Sequence, residues 1–372
     1  MKNRSSSDRN LLYTLLGSWG LGILGVILLT AFTYPANSVN EWKFVKDIRF
    51  QKLSTLASKL LLQADYGGAI QLFEEALPLA SSVEKRLKTL GHLGMLHAAR
   101  NQHQASVSIY REALSSLEPQ NERFPHLNNE ADLLQGLGET YAQIEQWDSS
   151  RNYFEKSLTI YQGLPKAAKV QTSIAKSLHG LGKATHNLKA AQPAKAQLFQ
   201  ALAILDSLSA KESLLPAEIE RARILSTIGE IDEQLADFDQ AETHHLQAYT
   251  SLRAIVGTHP GQVEPHLAKI LYRRGMFYLN QDMLEAASAT FDESYSIYKD
   301  KLQEQPEAYR LDMGNLALAQ GITQHLLENT GMAARFLQQA KIQFDYLPDS
   351  VISPQSYQLM SFLEGTNHDG FR

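Results

Sequence analysis

One small residue returns at nearly regular intervals along most of this chain, and this recurrence restricts the possible folds more than any other feature. The intervals range from 37 residues (Ala57 to Gly94) to 47 residues (Gly182 to Gly229). The full series is Ala57, Gly94, Gly138, Gly182, Gly229, Gly275 and Gly321. Self-similarity with a period of roughly 20–50 residues is typical of repeat proteins, in which each repeat is one supersecondary unit. The sequence therefore predicts a stack of similar units.

A second pattern follows each small residue: two Ala or Ser residues seven positions apart, with a larger residue between them. The seven sets are Ala69, Phe73, Ala76; Ser106, Tyr110, Ala113; Ser150, Phe154, Ser157; Ala194, Leu198, Ala201; Ala241, His245, Ala248; Ala287, Phe291, Ser294; and Ala333, Leu337, Ala340. Residues seven apart share one helix face. We expect the small residue of a first helix to admit the second helix closely, and the small pair to receive the next unit's first helix. Because one hairpin cannot bury its own apolar face, the units must stack.

These units resemble tetratricopeptide repeats (TPRs). The best matches are Leu137-Gly138-x-x-Tyr141 and Gly275-x-x-Tyr278. The longer period, and Gly257-Thr258-His259-Pro260, resemble the kinesin-light-chain type of repeat and its Gly-x-x-His-Pro linker. The resemblance implies an all-α fold: a right-handed superhelix (α-solenoid) of about seven helix-turn-helix units, spanning residues 50–347.

Some positions depart from the pattern. Asp232 and Arg274 stand where the family usually has apolar residues, and unit seven lacks its first leucine pair. Either the register slips in unit seven, or this unit is a cap with a polar outer side. Polar, proline-bearing segments at 118–130, 163–166, 209–218, 257–266 and 303–307 are expected to be linkers. Residues 348–372 are expected to form a C-terminal cap and tail.

The N-terminal region predicts a membrane anchor. Residues 11–33 carry no charge, and at about 1.5 Å per residue they exceed a hydrocarbon core of ~30 Å. We assign a tail to residues 1–10, a transmembrane helix to 11–34, and a juxtamembrane segment, with the start of the first helix, to 35–49. Lys2, Arg4 and Arg9 precede the anchor and Lys43 and Lys46 follow it, which favours a cytoplasmic N-terminus. The expected location is a bacterial inner membrane with periplasmic repeats; the alternatives are the mitochondrial inner membrane or cytoplasmic repeats.

Composition and motifs argue against chemistry. The chain has no cysteine and a net charge of −5, which excludes disulfides and thiolate sites and gives no sign of nucleic-acid binding. Glu242-x-x-His245 has the spacing of a di-iron ligand pair, but the required second copy is missing. Gly180-Leu181-Gly182-Lys183 lacks the flanking residues of a phosphate-binding loop, so close helix packing explains its glycines better. We predict no catalytic residue, metal or cofactor, and we do not expect an enzyme.

In TPR proteins the first helices line the concave face. By register, the predicted peptide-binding residues are Lys176, His179, Lys183, Arg223, Lys269, Tyr272, Arg273 and Asn280. We expect this basic stripe to have few acids beside it and to hold an acidic or C-terminal-carboxylate segment of a partner. The alternative is a solvated helix face.

Together these features predict a membrane-anchored scaffold or adaptor that recruits a protein or peptide partner. The alternative is a sensory or regulatory protein that responds to a ligand or peptide.

Overall fold

The computed structural model of the chain describes residues 43–63, 65–117, 126–209, 214–348, 351–353 and 355–361. All regular secondary structure in these ranges is helical, which confirms the predicted all-α class. The predicted transmembrane helix at 11–34 lies outside the described residues, as do the tail at 1–10 and most of the juxtamembrane segment. None of the helices in the described ranges combines the length and the apolar composition that spanning a bilayer requires.

Fourteen numbered α-helices lie within these ranges, where residues 355–361 are also helical, and a short 3-10 helix, Leu77–Leu79, follows the second. They are α1 (Lys43–Leu62), α2 (Tyr66–Ala76), α3 (Val83–Ala99), α4 (His103–Ser115), α5 (Leu127–Gln143), α6 (Trp147–Gln162), α7 (Ala168–Asn187), α8 (Ala191–Ser209), α9 (Leu215–Gln234), α10 (Phe238–Ile255), α11 (Pro260–Asn280), α12 (Leu284–Glu304), α13 (Pro306–Leu326) and α14 (Thr330–Phe344).

The chain divides into two compact units, and the first comprises residues 1–96. Its described part contains α1, α2 and most of α3. Phe50 and Leu53 of α1 form a small core with Ala76 and Leu79. The side chain of Asp65 caps α2 by accepting a hydrogen bond from the backbone N–H of Gly68, which satisfies one of the free donors at the helix start.

The second unit, residues 97–372, contains helix pairs that nest in series. The helices pack as hairpins α5–α6, α7–α8, α9–α10, α11–α12 and α13–α14, and the second helix of each hairpin packs on the first helix of the next. The first helices also contact one another in order: α5 with α7, α7 with α9, α9 with α11, and α11 with α13. This serial packing is the TPR-like solenoid that the repeated small residues predict.

The glycines explain the close packing inside each hairpin. A Cβ atom added at Gly138 would lie 3.0 Å from the ring of Phe154, and one at Gly182 would lie 2.9 Å from Leu198. Gly321 faces Leu337 in the same manner. In every such pair the large residue is the one between the two small residues of the second helix. These hairpins confirm the prediction that a small residue on the first helix lets the large residue of the second helix pack closely against it.

The two departures from the repeat pattern have local explanations. Asp232 is fully buried, and its carboxylate is 2.5 Å from Nζ of Lys195 and 2.8 Å from Nδ1 of His244. The guanidinium of Arg274 lies over the rings of Tyr249 and Tyr278 and donates a hydrogen bond to the hydroxyl of Tyr278. A buried charge is tolerated when it is paired and hydrogen-bonded, and arginine stacks well on aromatic rings.

The seventh hairpin keeps the register of the others. Gly321 contacts Leu337, and Ala317 and Leu318 are buried, so the slipped register considered above is wrong. Beyond α14, Ile352 and Met360 join the core of this last hairpin. Repeat stacks need their final apolar face covered, and these two residues contribute to that cover.

Four helices, α5, α9, α11 and α13, begin inside segments that were expected from the sequence to be linkers. Helices α9, α11 and α13 carry Pro216, Pro260 and Pro306 in their first turn, inside segments assigned to linkers. Proline disfavours the interior of a helix, but its fixed φ suits the first turn. A backbone N–H at that position would have no partner within the helix, so nothing is lost by its absence. The linker at 257–266 is therefore wrong for Pro260–His266.

The turns inside the hairpins share one strained position. In the part of the chain that the structure describes, positive φ occurs at Asn101, Glu145, Lys189, Ala236, Asp282 and Glu328, and none of these is a glycine. Their spacings match those of the repeated small residues. Each hairpin turn in this unit thus uses one left-handed residue to reverse the chain.

Candidate functional site

The predicted binding residues lie on three consecutive first helices of the second unit. Lys176, His179 and Lys183 are on α7, Arg223 is on α9, and Lys269, Tyr272, Arg273 and Asn280 are on α11. Because α7 contacts α9 and α9 contacts α11, we call this surface, together with the neighbouring side of α5, the first-helix face.

A buried carboxylate organises one part of this face. Glu220 is 1% exposed and accepts hydrogen bonds from Nδ1 of His179 at 2.6 Å and from the guanidinium of Arg223 at 2.7 Å. Nε2 of His179 lies 3.0 Å from the hydroxyl of Thr227. Although burial opposes ionisation, the positive charge of Arg223 and the bond to His179 hold the pKa of Glu220 well below its usual range. Glu220 and His179 therefore form a buried, hydrogen-bonded pair beneath Arg223, whose own side chain is 48% exposed.

Lys183 lies at the centre of the cationic cluster. Burial, followed by the positive charges of Arg273, Lys269 and Arg223, lowers its pKa to about 8, while Glu230 opposes that shift. Neither Lys183 nor Lys176 forms an ion pair with another described residue. Two cations on α7 are therefore available to an external anion.

The remaining cations have acidic partners, so the expectation of few acids on this face is wrong. Nε of Arg273 is 2.7 Å from Glu230, and Nζ of Lys269 is 3.9 Å from Asp312. Asp312 belongs to the following first helix, α13, and Glu220 lies beneath the surface. Neither position was assigned to this face from the repeat register.

The two other predicted residues have different surroundings. Tyr272 is half-buried against the ring of Phe291, and burial raises the pKa of its hydroxyl. Asn280 is exposed at the last residue of α11, and the structure records no hydrogen bond from its side chain to the cationic cluster. The structure thus brings the five cations and His179 together, with Tyr272 beside them and Asn280 at the margin.

Sequence analysis missed His266. Burial, then the positive charge of Arg223, lowers its pKa to about 4, with Lys269 and Lys176 acting in the same direction and Glu220 opposing. His266 precedes Lys269 by three residues on α11, the spacing at which helical side chains share a face. That signal was available, but the residue fell in a segment assigned to a linker.

A cavity of about 660 Å³ adjoins Lys269 and Asp312. Its other walls come from the α3–α4 turn, the end of α5, the start of α13, residues 351–353 and Gln355. Nε of Arg100, in the α3–α4 turn, lies 3.2 Å from Glu307 of α13. The cavity is large enough for a few side chains of a bound segment.

Each of the two histidines near Glu242 bonds a carboxylate on α9. Nδ1 of His244 bonds Asp232 and Nε2 of His245 bonds Glu233, each at 2.8 Å, while Glu242 is exposed. His245 is completely buried against Gly229. Across the described ranges, no three His, Asp or Glu side chains converge as metal ligands would.

Comparison with known proteins supports the fold. Residues 86–118 and 268–301 match family models described as tetratricopeptide repeat. No curated protein sequence matches the chain.

Several solved structures have a similar fold. A Rap protein complexed with Competence and Sporulation Factor has 14% identity and a TM-score of 0.58, with 84% of this chain and 78% of that chain covered. Aspartyl phosphate phosphatase F from Bacillus subtilis has 14% identity and a TM-score of 0.57, with coverage of 95% and 87%. NprR in complex with its cognate peptide NprX has 12% identity and a TM-score of 0.56, with coverage of 88% and 90%.

At these identities the likeness concerns the fold alone, and the kinesin-light-chain subtype stays a prediction. The two family-model matches and the nested helical hairpins together support a tetratricopeptide-repeat family for this chain.

Proposed function

We propose that this protein is a membrane-anchored interaction scaffold whose first-helix face captures a segment of a partner protein. One observation carries the proposal: Lys176 and Lys183 have no ion-pair partner among the residues that the structure describes, while the cations beside them on α9 and α11 are paired. A half-buried lysine loses hydration, so a site that leaves two of them unpaired is suited to an anionic ligand.

The partner in this proposal presents an acidic segment or a C-terminal carboxylate. Arg223 offers a planar guanidinium that Glu220 and His179 hold in place, so little side-chain freedom is lost on binding. Lys183 supplies a second charge a short distance along the face. Preorganised donors of this kind favour charge-assisted hydrogen bonds to carboxylates.

The anchor at residues 11–34 raises the effective concentration of the captured partner at a membrane surface. We propose a single-pass topology in a bacterial inner membrane with periplasmic repeats. A C-terminal alkaline phosphatase fusion should be active, and a matched green fluorescent protein fusion dark, if the repeats are exported through the general secretory route. The opposite pair of results would place the repeats in the cytoplasm.

Charge reversal tests the binding surface. In the full-length anchored protein, Lys176→Glu with Lys183→Glu should abolish crosslinking to a partner that the wild type captures and that rebinds after purification. The matched control is Lys299→Glu with Arg335→Glu, which makes the same change in net charge on exposed second helices. Unchanged capture by the first variant would refute binding at this face.

A second candidate is a regulator that responds to a peptide. The observation that favours it is the fold shared with NprR, solved with its cognate peptide NprX, and with a Rap protein, solved with Competence and Sporulation Factor. A regulator should bind a free peptide with a rise in melting temperature that grows with peptide concentration. A scaffold should instead require the folded partner. Titration with the partner and with its isolated segment separates the two candidates.

A further inference from the structure

Two neighbouring first helices carry opposite charges at equivalent repeat positions. Asp132 and Glu139 on α5 precede Lys176 and Lys183 on α7 by the same interval, 44 residues. Within each helix the two charges are seven residues apart and therefore lie on one side. Because α5 contacts α7, an acidic pair stands beside a basic pair.

None of these four side chains forms an ion pair with another described residue. The carboxylate of Asp132 accepts hydrogen bonds from Tyr161 and, at 3.3 Å, from Asn128. Glu139 accepts one from Gln135 at 3.2 Å. Both acids are exposed, whereas the two lysines are half-buried. The four charges are thus fixed by the fold and left unneutralised.

One acid of this pair also acts on the binding surface proposed above. Glu220 is the main cause that raises the pKa of Arg223, and the charge of Glu139, two first helices away on α5, contributes in the same direction. The first-helix face is therefore basic over α7, α9 and α11, and acidic over α5.

We infer that the bound segment is dipolar, with a basic side chain over Asp132 and Glu139 and an acidic side chain over Lys176 and Lys183. Packed helices lie about 8–10 Å apart, and an extended chain advances about 3.3 Å per residue. The two ligand charges therefore stand about three residues apart. A uniformly acidic segment would bring carboxylates next to Asp132 and Glu139, where like charges repel. This inference rests on the proposed function and specifies the chemistry of its partner.

Selection from a random displayed nonapeptide library tests the inference on the full-length protein in detergent micelles. The wild type should enrich peptides with opposite charges two to four residues apart. The variant Asp132→Lys with Glu139→Lys should shift the selection to uniformly acidic peptides and lower the enrichment of dipolar ones about tenfold, as expected for the loss of charge-assisted contacts. Lys176→Glu with Lys183→Glu should shift it towards basic peptides.

The outcomes separate the two proposals. If the wild type and the Asp132/Glu139 variant select the same acidic peptides, the dipolar ligand is wrong while peptide binding at this face stands. If the wild type selects no peptide at all, both proposals fail. Melting temperatures of both variants within a few degrees of the wild type ensure that altered selection reflects charge. Milder changes, Asp132→Asn with Glu139→Gln, serve if the reversed acids prevent folding.

Discussion

His245 of α10 lies directly over Gly229 of α9, so closely that a Cβ atom at residue 229 would be 2.8 Å from Nε2 of the histidine. The imidazole is fully buried, and the same nitrogen bonds Glu233. Among the small–large pairs of the hairpins, this one places an imidazole where the others have phenylalanine, leucine or, in the second unit, Tyr110. A single substitution at Gly229 can therefore test whether the repeats need a small residue at this position.

Gly229→Ala should lower the free energy of unfolding by about 1–3 kcal/mol, because the added methyl group forces the two helices apart. Urea denaturation monitored by circular dichroism measures the change. Gly261→Ala is the matched control: nothing lies within 4 Å of its Cβ position, so its effect should be neutral or slightly stabilising. Equal effects of the two substitutions would contradict close packing at Gly229.

Ala236→Gly should stabilise the protein by about 0.5–1 kcal/mol. Ala236 has φ = 58° in the α9–α10 turn, a conformation that costs a non-glycine residue about 1–2 kcal/mol, partly offset by the greater freedom of glycine when unfolded. Thermal unfolding measures the gain. Ala334→Gly, at an exposed position inside α14, should destabilise by about 1 kcal/mol. A loss of stability at residue 236 as well would show that the turn is not strained.

Stability should fall as the pH drops from about 6.5 to about 4, in part through His266. The folded protein holds His266 neutral down to a pKa of about 4, whereas the unfolded chain takes up the proton near 6.5. The unfolded state therefore binds more protons in this window and is favoured by acid. His266→Gln should make the decline shallower, although His179 and His186, with pKa values lowered by burial, continue to contribute. Urea denaturation at a series of pH values measures the free energy of unfolding. If His266 were not involved, this free energy would fall with the same slope in the wild type and in His266→Gln.

Lys183 should acylate faster than Lys301 at pH 8. A pKa of about 8 leaves Lys183 partly neutral there, while hydrogen bonds to Glu264 and Glu304 raise the pKa of Lys301 despite some burial. Competitive labelling with acetic anhydride, followed by peptide mass spectrometry, gives the relative rates. Arg273→Gln should raise the pKa of Lys183 by removing a nearby positive charge, and so slow its labelling. Faster labelling in that variant would contradict the proposed electrostatics.

The fold was largely predictable from the sequence because small and large residues alternate with a fixed logic. Gly138 with Phe154 and Gly182 with Leu198 occupy the hairpin positions expected from their spacing. The partners of buried charges were not predictable. Lys195 reaches Asp232 from another helix, 37 residues earlier in the chain, and no periodic rule connects the two positions.

The positions of the cations in the candidate site were predictable from the sequence, but the acidic residues that pair with them were not. Repeat register brought Lys176, Lys183 and Arg223 to one face. It did not reveal that Glu220 lies buried under Arg223. The repeat pattern does not specify a carboxylate at that buried position, so the register alone could not predict one. Helix starts at proline were a further source of error, and they concealed His266.

Partner capture at the first-helix face is tested most directly by site-specific photo-crosslinking in the full-length anchored protein. A photoreactive amino acid in place of Met276 of α11 should crosslink to the purified partner, and the same amino acid in place of the exposed Phe199 of α8 should not. The Met276 crosslink should disappear with Lys176→Glu and Lys183→Glu. Equal crosslinking from residue 199, or a Met276 crosslink that survives the charge reversal, would contradict binding at this face.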